Sequence, residues 1–483
     1  MVTARSAGSV IGAGSRSTRK TVFVRPRPKA QVDPFLPHDM PQALPTPPQA
    51  GLLNAMRFGQ DTFRFLEVMQ SRYPDGVAVP IPGRAPLVVL TNPELVRDAL
   101  SRPDTFGRVP AQESAALIAE HGLVQSDGPL WRQQRSIMNP AFDSRQVRAY
   151  ANSVGERVAT IADDWADRGR FETNLHREMT RMTVRVASEV LLGEDIGPDR
   201  AERFHEWMQA AGTEFEFDLA SVGPDWLPSR ISPEFREAAA GIRDLSEDII
   251  ERRRRLIEEG TPGRNMVTML LQAEDDPDVD YPENQIRDEV STFLIAGHET
   301  TALSLTYTTA LLSWYPDVRE RVREEAEAVL GDGPPSHGDV RDLSYTMQVY
   351  HEALRLYPPA WAVFRRANRK ARLGDYRVDE GAAVIMPQWS IHRSDRYFDD
   401  PATFDPDRWE RRSPNDTPAY FAFSSGPHAC VGKQFALSGA TLTLARLIRD
   451  FDVDVPQDAL DDLRVTPTLR PGDGVPAEIR PAG

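Results

Sequence analysis

A single cysteine constrains this chain more than any other feature of its sequence. Cys430 is the only thiol among 483 residues, so it cannot form an internal disulfide or contribute to a cysteine-rich zinc site. Gly426 lies four residues before it, Gly432 two residues after it, and Phe423 seven residues before it. Glycines at these places allow a tight turn and let another group approach the backbone closely.

Two interpretations of Cys430 compete. A lone cysteine in an arbitrary chain is most often a buried structural residue. Here, however, the apolar pattern of a helix begins soon after it, at Phe435, and the free N–H groups at the start of a helix lower the pKa of a thiol and stabilise the thiolate. A thiolate on a loop of glycines, aromatic and aliphatic residues suits a soft metal, and haem iron is the leading candidate.

The ten residues 423–432 read F-S-S-G-P-H-A-C-V-G and resemble the haem-ligand loop of the cytochrome P-450 family of haem-thiolate monooxygenases. The family usually has an arginine where this chain has His428. Since an imidazole is charged only at low pH, its contact with a haem propionate would depend on pH.

Four further elements resemble motifs of the same family, and they occur in the family's order. They are W-x-x-x-R at Trp131 and Arg135, A-G-x-E-T at residues 296–300, E-x-x-R at Glu352 and Arg355, and F-x-P-x-R at residues 404–408. The resemblance covers residues 51–480, which is nearly all of the expected globular part.

Residues 283–314 form the longest uninterrupted helical pattern in the chain. About 30 residues at 1.5 Å each give a helix of about 45 Å, long enough to cross a domain of this size. Gly297 lies near its middle, where glycine costs up to about 1 kcal/mol against alanine, so we expect a ligand to approach there. The hydroxyl of Thr300 can donate to the carbonyl of Ala296 and bend the helix.

The resemblance also implies roles for individual residues. Cys430 is implied as the axial ligand of haem iron, and Glu299 and Thr300 as the groups that guide protons to the distal oxygen. The other implied haem contacts are Trp131, Arg135, Ala296, Gly297, Arg365, Phe423, Gly426, His428 and Gly432, with Arg366 as the alternative to Arg365. Glu352, Arg355 and Arg408 are implied as a buried ion network that supports the cysteine loop.

The expected fold is mainly α with small peripheral β-sheets, with the haem between the long central helix and the helix that follows the cysteine. Residues 1–32 are basic, rich in serine and free of acids, and residues 33–50 are rich in proline, which predicts a disordered tail and an extended lead-in. We expect one domain over residues 51–483. Within it, residues 77–81 and 87–90 predict a β-hairpin.

The net charge and the hydropathy of the chain limit which kinds of binding partner and membrane attachment we expect. A net charge of −15 argues against a nucleic-acid partner, and the basic run at residues 252–255 is flanked by acids, which favours a solvated helix face. No apolar run approaches about 18 residues, so we expect no membrane anchor. A lone cysteine suits a reducing cytosol, and the resemblance is therefore to a soluble bacterial-type member, expected in the cytoplasm.

The implied reaction inserts one oxygen atom from O₂ into a C–H bond of an apolar small molecule such as a terpenoid, a fatty acid or a polyketide, with haem b as cofactor. The sequence contains no recognisable flavin or iron–sulfur segment, so we expect a ferredoxin-type donor with a ferredoxin reductase. The alternatives are a peroxygenase or hydroperoxide isomerase on the same fold, and a non-catalytic haem sensor. Neither alternative requires the acid and alcohol found here at Glu299 and Thr300.

The first prediction concerns the ligand. Because Cys430 is the only thiol, the reduced protein with carbon monoxide is expected to give the red-shifted Soret band of thiolate-ligated haem, and Cys430→Ser is expected to abolish that band. Absorption difference spectra measure both. A red-shifted band that persists in Cys430→Ser would show that another residue ligates the iron.

Overall fold

Helices dominate the computed structural model, which describes residues 41–48, 51–81, 85–110, 113–214, 231–261, 263–277 and 279–483. The mainly α fold with small sheets that the sequence predicted is confirmed. Residues Pro41–Gly483 form one compact unit. The predictions for residues 1–40 lie outside the described residues.

The described helices lie in chain order as follows: α1 Gly51–Gln60, α2 Thr62–Arg72, α3 Pro93–Ser101, α4 Glu113–Ala119, α5 Gly128–Met138, α6 Ser144–Arg168, α7 Leu175–Ala187, α8 Gly197–Glu214, α9 Pro233–Glu258, α10 Met266–Glu274, α11 Gln285–Trp314, α12 Pro316–Val329, α13 Ser344–Leu356, α14 Gln388–His392, α15 Arg408–Arg411 and α16 Lys433–Asp450. A π-helical turn, Ser188–Leu192, continues α7.

The described strands are short: β1 Gln42–Ala43, β2 Gly76–Val79, β3 Leu87–Leu90, β4 Phe106–Gly107, β5 Phe171–Asn174, β6 Val363–Ala367, β7 Ala371–Leu373, β8 Tyr376–Val378, β9 Ala383–Met386, β10 Phe451–Asp454, β11 Leu463–Val465, β12 Leu469–Pro471 and β13 Pro476–Pro481. They form a five-stranded sheet in the order β2-β3-β9-β6-β4, two three-stranded sheets (β1-β8-β7 and β10-β13-β5) and the hairpin β11-β12. The predicted hairpin is present, since β2 and β3 pair antiparallel.

The fold begins earlier than residue 51, where we had expected it to start. Strand β1 pairs in parallel with β8, with Gln42 opposite Tyr376, and Leu44 is buried in the main hydrophobic core. The proline-rich composition correctly indicated an extended chain here. It did not reveal that a partner strand more than 300 residues later would accept its hydrogen bonds.

Helix α11 is the axis around which the other helices pack. The sequence predicted it over residues 283–314, and it runs over Gln285–Trp314 with buried side chains on all faces, as expected for a helix in the centre of a large domain. Its hydroxyl residues donate back to carbonyls one turn earlier, as Thr306 does to Ala302 at 2.7 Å. The burial is interrupted at Ala296, which is exposed in the middle of the helix and therefore borders an internal space.

The basic run at residues 252–255 on α9 differs from the predicted solvated face at one position. Arg252, Arg254 and Arg255 pair with acids at the surface. Arg253 instead is buried, and its guanidinium donates to the carbonyls of Leu192 and Gly193 at the end of the π-helical turn. A charge run does not distinguish the one arginine that turns inward to satisfy backbone carbonyls.

A buried ion network joins α13 to the segment before α15. Arg355 donates to both carboxylate oxygens of Glu352, at 3.0 and 2.8 Å, and neither side chain is exposed. Arg408 donates to the same carboxylate at 3.0 Å. The remaining guanidinium hydrogens of Arg355 reach the carbonyls of His392, Pro401 and Thr403. The network thus fixes the chain that leads towards the cysteine loop.

The second prediction follows from the burial of this network. Glu352→Ala leaves two buried guanidinium groups without their carboxylate, and breaking a buried pair costs about 3–5 kcal/mol. Chemical unfolding is expected to show a loss of that size. The control is Glu67→Ala, whose carboxylate pairs with Arg64 at the same i,i+3 spacing on an exposed face and should change stability by less than about 1 kcal/mol. Equal losses in the two variants would contradict a structural role for the network.

Candidate active site

The loop before Cys430 is held by short-range backbone bonds. The amide of Cys430 donates to the carbonyl of Phe423 at 3.0 Å, and the amide of Ala429 to the carbonyl of Gly426 at the same distance. Gly426 has a φ of 72° and lies against the carbonyl of Leu100 at the end of α3, where a Cβ atom would collide. Glycine is required there on both grounds. Gly432, in contrast, has only ordinary contacts and leaves the space beside the thiol open.

The Cys430 side chain is exposed although dense protein surrounds it, so its thiol borders an internal space rather than bulk water. The pKa of the thiol is raised, because the desolvation of a thiolate outweighs the amide of Gly432 and the charges of Arg135 and Lys433. We had expected the helix start to lower this pKa. The helix begins at Lys433, three residues away, and in the protein alone burial dominates.

The middle of α11 faces the helix that follows the cysteine. A cavity between them is lined by Gly297 and Thr301 of α11 and by Phe435, Ala436 and Gly439 of α16. The hydroxyl of Thr300 donates to the carbonyl of Ala296 at 3.2 Å, as the sequence predicted. Ala296 and Thr300 do not line this cavity; Ala296 is exposed and Thr300 is half-buried, so they lie on another face of α11.

Gly297 has a different reason for being glycine than we expected. A Cβ atom there would lie 3.2 Å from a methyl group of Leu191 and 3.6 Å from the Cβ of Ala187. The close approach is therefore between α11 and the end of α7, and not only to the internal space. A single sequence cannot separate these causes, since both demand the absence of a side chain.

Strand β6 decides between the two candidate arginines at residues 365 and 366. Side chains alternate along a strand, so Arg365 is buried and Arg366 is exposed. Desolvation by burial lowers the pKa of Arg365 to about 10, although the negative charge of Asp127 acts in the opposite direction. Arg365 is therefore the one that can face a buried ligand.

Arg365 belongs to a cluster of buried cations near the cysteine loop. Desolvation, and then the charge of Arg365, lower the pKa of Arg108 to about 10. Arg135 is half-buried and donates to the carbonyl of Ala429 at 3.1 Å. The nearby acid, Asp127, is already engaged by the backbone amides of Arg108 and Gly128, at 2.7 and 2.8 Å. The cluster therefore carries more positive charge than its neighbours balance.

Several polar atoms in this cluster of cations lack hydrogen-bond partners. Among the described residues, Nε of Arg108, Nε1 of Trp131 and Nε2 of His428 are buried without a hydrogen bond. The Trp131 and His428 rings meet edge to face with centroids 4.0 Å apart, and burial lowers the pKa of His428 to about 4. Buried donors without acceptors are costly, so this site is built for an anion with several acceptor oxygens.

A haem fits these residues. Its two propionates would supply the negative charge and the acceptor oxygens that Arg108, Arg365 and Trp131 lack. Its iron would meet the thiol of Cys430, which borders the same internal space. The sequence analysis identified every member of this cluster except Arg108. Arg108 lies in no recognisable motif, and its signal is the cost of burying a cation, which only the structure reveals.

Glu299 does not point to Thr300. Its carboxylate forms an ion pair with Arg470, whose Nε lies 2.8 Å from a carboxylate oxygen, accepts from the hydroxyl of Thr468 at 3.2 Å, and lies 3.7 Å from Nε2 of His298. The pKa of Glu299 is lowered, because Arg470 and the imidazoles of His298 and His176 outweigh the desolvation of the carboxylate. The role in proton transfer that the sequence predicted for Glu299 and Thr300 stays a prediction.

The sequence predicts that residues 102–127, 205–230, 293–301 and 360–364 and the C-terminal hairpin form the substrate region, and apolar side chains in these ranges are exposed. Phe364 is 40% exposed and Val124 is 52% exposed, and the Phe364 ring packs edge to face on buried Trp361. The predicted substrate region also included Phe293, which is buried against Phe142. Residues 215–230, a further part of that region, lie outside the described residues.

Comparisons with known proteins identify a family model and several relatives that resemble this chain. A family model described as Cytochrome P450 matches residues 43–470. A cytokinin hydroxylase of Arabidopsis thaliana is 31% identical over 83% of this chain and 80% of its own length. The cyclooctatin synthase of Streptomyces melanosporofaciens and the pentalenene oxygenase of Streptomyces avermitilis are each 30% identical over 76% of this chain, and over 80% and 82% of their own lengths.

None of the described helices combines the length and hydropathy that a membrane span requires.

The third prediction separates a haem contact from a structural arginine. Arg108→Gln removes a half-buried cation whose Nε is buried without a partner, so the haem-free protein is expected to keep or gain stability. The loss of a charge-assisted hydrogen bond of about 1.5–3 kcal/mol should instead speed haem loss by roughly tenfold or more. Unfolding of the haem-free protein and transfer of haem to a scavenging apoprotein measure the two effects. Arg366→Gln, on the exposed side of β6, is the control. If the two variants retain haem equally, Arg108 is not a haem contact.

Proposed function

The chain belongs to the cytochrome P450 family, and on that premise we propose that it hydroxylates an apolar terpenoid, using haem b and electrons delivered by a separate ferredoxin. Membership makes it a haem monooxygenase that uses O₂. The observation that carries the proposal is the exposed thiol of Cys430 close to three arginines, Arg108, Arg135 and Arg365, whose charge one nearby acid, Asp127, offsets only in part.

The reaction in balance is RH + O₂ + NAD(P)H + H⁺ giving ROH + H₂O + NAD(P)⁺. Haem, when bound, supplies the reductive activation of O₂, and a thiolate ligand favours cleavage of the O–O bond. The chain's own residues then bind and orient this cofactor. Cys430 would ligate the iron, while Trp131, Arg108, Arg135, Arg365 and His428 would hold the propionates.

Residues on α11 would lie on the side of the haem where oxygen is activated. Ala296 leaves room above the thiol, and the hydroxyl of Thr300, which donates to the carbonyl of Ala296, can accept a second hydrogen bond from water. Glu299 can hold a proton at its carboxylate, and its charge is balanced by Arg470. These groups favour oxygen activation that consumes protons over the peroxygenase and sensor alternatives.

A terpenoid is favoured among the three substrate classes that the sequence left open. Phe364 and Val124 offer apolar surface, which suits a hydrocarbon skeleton. The names of two relatives, cyclooctatin synthase and pentalenene oxygenase, agree with this choice. The cytokinin hydroxylase keeps an adenine-type substrate as a competitor in the test.

A ferredoxin is the proposed donor because the cysteine side carries local positive charge on an acidic chain. A surface cavity beside the cysteine loop, of about 210 Å³, is lined by Arg97 and Lys433 and by no acid. Three arginines on this side are partly neutralised, Arg97 by Glu94, Arg132 by Asp104 and Arg411 by Asp405, which leaves Lys433 as the residue to test. Reduction of Lys433→Glu at the wild-type rate in low salt would show that the donor docks elsewhere.

The fourth prediction tests the function. With a ferredoxin, its reductase, NADPH and ¹⁸O₂, the protein is expected to add one ¹⁸O atom to at least one cyclic terpene hydrocarbon in a panel that also contains adenine cytokinins. Mass spectrometry of the products measures this. Thr300→Ala should lower product per NADPH and raise hydrogen peroxide, while the spectral affinity for substrate stays nearly constant.

The matched control is Thr306→Ala, which removes a hydroxyl with the same back-bonding geometry on α11 at a buried position away from the exposed Ala296. Its product yield per NADPH is expected to match the wild type. Oxygen in the product that comes from water, or equal yields in Thr300→Ala and Thr306→Ala, would contradict the proposal.

A further inference from the structure

Three imidazoles interact electrostatically with the Glu299 carboxylate, and none of them is a residue that the motifs specify. His298 is its neighbour on α11, His176 lies at the start of α7, and His205 lies on α8. His176 and His298 are buried, whereas His205 is half-buried. The hairpin β11-β12 closes the group by supplying Arg470 and Thr468 to the same carboxylate.

Two nitrogen atoms in this group have no partner. His298 places Nδ1 against the carbonyl of Leu294, so in the neutral ring Nδ1 carries the proton and Nε2 is an acceptor. Among the described residues, that Nε2 and Nε2 of His176 are both buried without a hydrogen bond. Nε2 of His298 lies 3.7 Å from a carboxylate oxygen of Glu299. Two acceptors at that distance repel each other unless a proton or a water molecule lies between them.

The rings are arranged from the surface inwards. The rings of His205 and His176 are neighbours that meet edge to face, with centroids 6.1 Å apart. His205 lies beside Glu202, which is 28% exposed, and His176 acts electrostatically on Glu299. The imidazole is the side chain best suited to accept a proton on one nitrogen and release one from the other.

We propose that His205, His176 and His298, with bridging water, form a proton relay that supplies Glu299 from solvent. This inference rests on the proposed function and deepens it. Hydroxylation as RH + O₂ + 2e⁻ + 2H⁺ giving ROH + H₂O requires two protons at a site that the helices enclose. The donor protein supplies the electrons, and the relay supplies the protons to the Glu299 carboxylate. Because Nδ1 of His298 is held by the carbonyl of Leu294, His298 accepts a proton from water at Nε2 and returns it to Glu299 from the same nitrogen.

The charges around the relay keep it ready to transfer protons. Burial lowers the pKa of His176 to about 4, with a further decrease from Arg470, and burial also lowers the pKa values of His205 and His298. The imidazoles are thus neutral at rest and hold a proton only in passing. Arg470 donates to the carbonyl of Met208 at 2.7 Å and forms an ion pair with Glu299, so the same cation holds α8 near the carboxylate.

The alternative is that these imidazoles merely fill the core. His176→Phe keeps an aromatic ring of similar size but cannot carry a proton, and Met179→Leu changes a buried apolar residue one turn later on α7 as the packing control. With NADPH, ferredoxin and reductase, the relay predicts that His176→Phe lowers product per NADPH about tenfold and increases the solvent isotope effect. Spectral affinity for substrate and product formation driven by hydrogen peroxide, which brings its own protons, should be unchanged.

A second measurement does not depend on turnover. In the ferrous carbon monoxide form, ¹⁵N NMR of labelled histidine is expected to show slower solvent exchange of the His298 Nδ1 proton in His176→Phe than in Met179→Leu. His205→Gln, at a half-buried position, should change both measurements in the same direction by a smaller amount and covers the case in which His176→Phe fails to fold.

The outcomes separate the two proposals. The relay would be overturned if His176→Phe and Met179→Leu showed the same solvent exchange rate of the His298 Nδ1 proton and the same product per NADPH. An equal loss of NADPH-driven and peroxide-driven product in His176→Phe would also overturn it. Absence of any oxygenated product from the wild type by either route would contradict the proposed function, and the NMR exchange rates would still decide whether the relay exists.

Discussion

Uncompensated positive charge beside the cysteine loop is the constraint from which the rest of the site can be understood. Transferring a guanidinium from water to protein is costly unless an anion accompanies it. Arg365 is buried and Arg108 is half-buried, the charge of Arg365 lowers the pKa of Arg108, and Asp127 offsets the charge of the two arginines in part. The protein alone is therefore less stable here than it would be with a dianion, and cofactor binding and folding are coupled.

The helices around this charged cluster keep an internal space open. Ala296 is exposed inside the longest described helix, and the neighbouring Gly297 brings α7 close enough to close that space from behind. The ion network of Glu352, Arg355 and Arg408 anchors the chain on the other side of the cysteine loop. An interior that holds both a gap and a charge imbalance needs such rigid walls, because packed side chains would otherwise collapse into it.

Much of this was predictable from sequence, and the failures have physical causes. Helix α11 and the β2-β3 hairpin were found because they obey local periodicity, which needs no knowledge of partners. Strand β1 was missed because its two residues are ordered only by pairing with β8. Arg108 was missed because its burial is a tertiary property, and the thiol pKa of Cys430 was given the wrong direction because desolvation by distant chain segments outweighed the local helix. The motifs located the chemistry but not the electrostatic surroundings.

The hairpin β11-β12 links substrate selectivity to the efficient use of reducing equivalents. It presents Thr468 and Arg470 to the carboxylate of Glu299, and the carbonyl of Leu469 accepts from the buried hydroxyl of Tyr307 on α11. C-terminal hairpins beside an apolar site are natural targets for exchange between relatives when a new selectivity is sought. In this chain such a swap would also remove the counterion of the acid on α11, so selectivity and the efficient use of reducing equivalents would have to be evolved together.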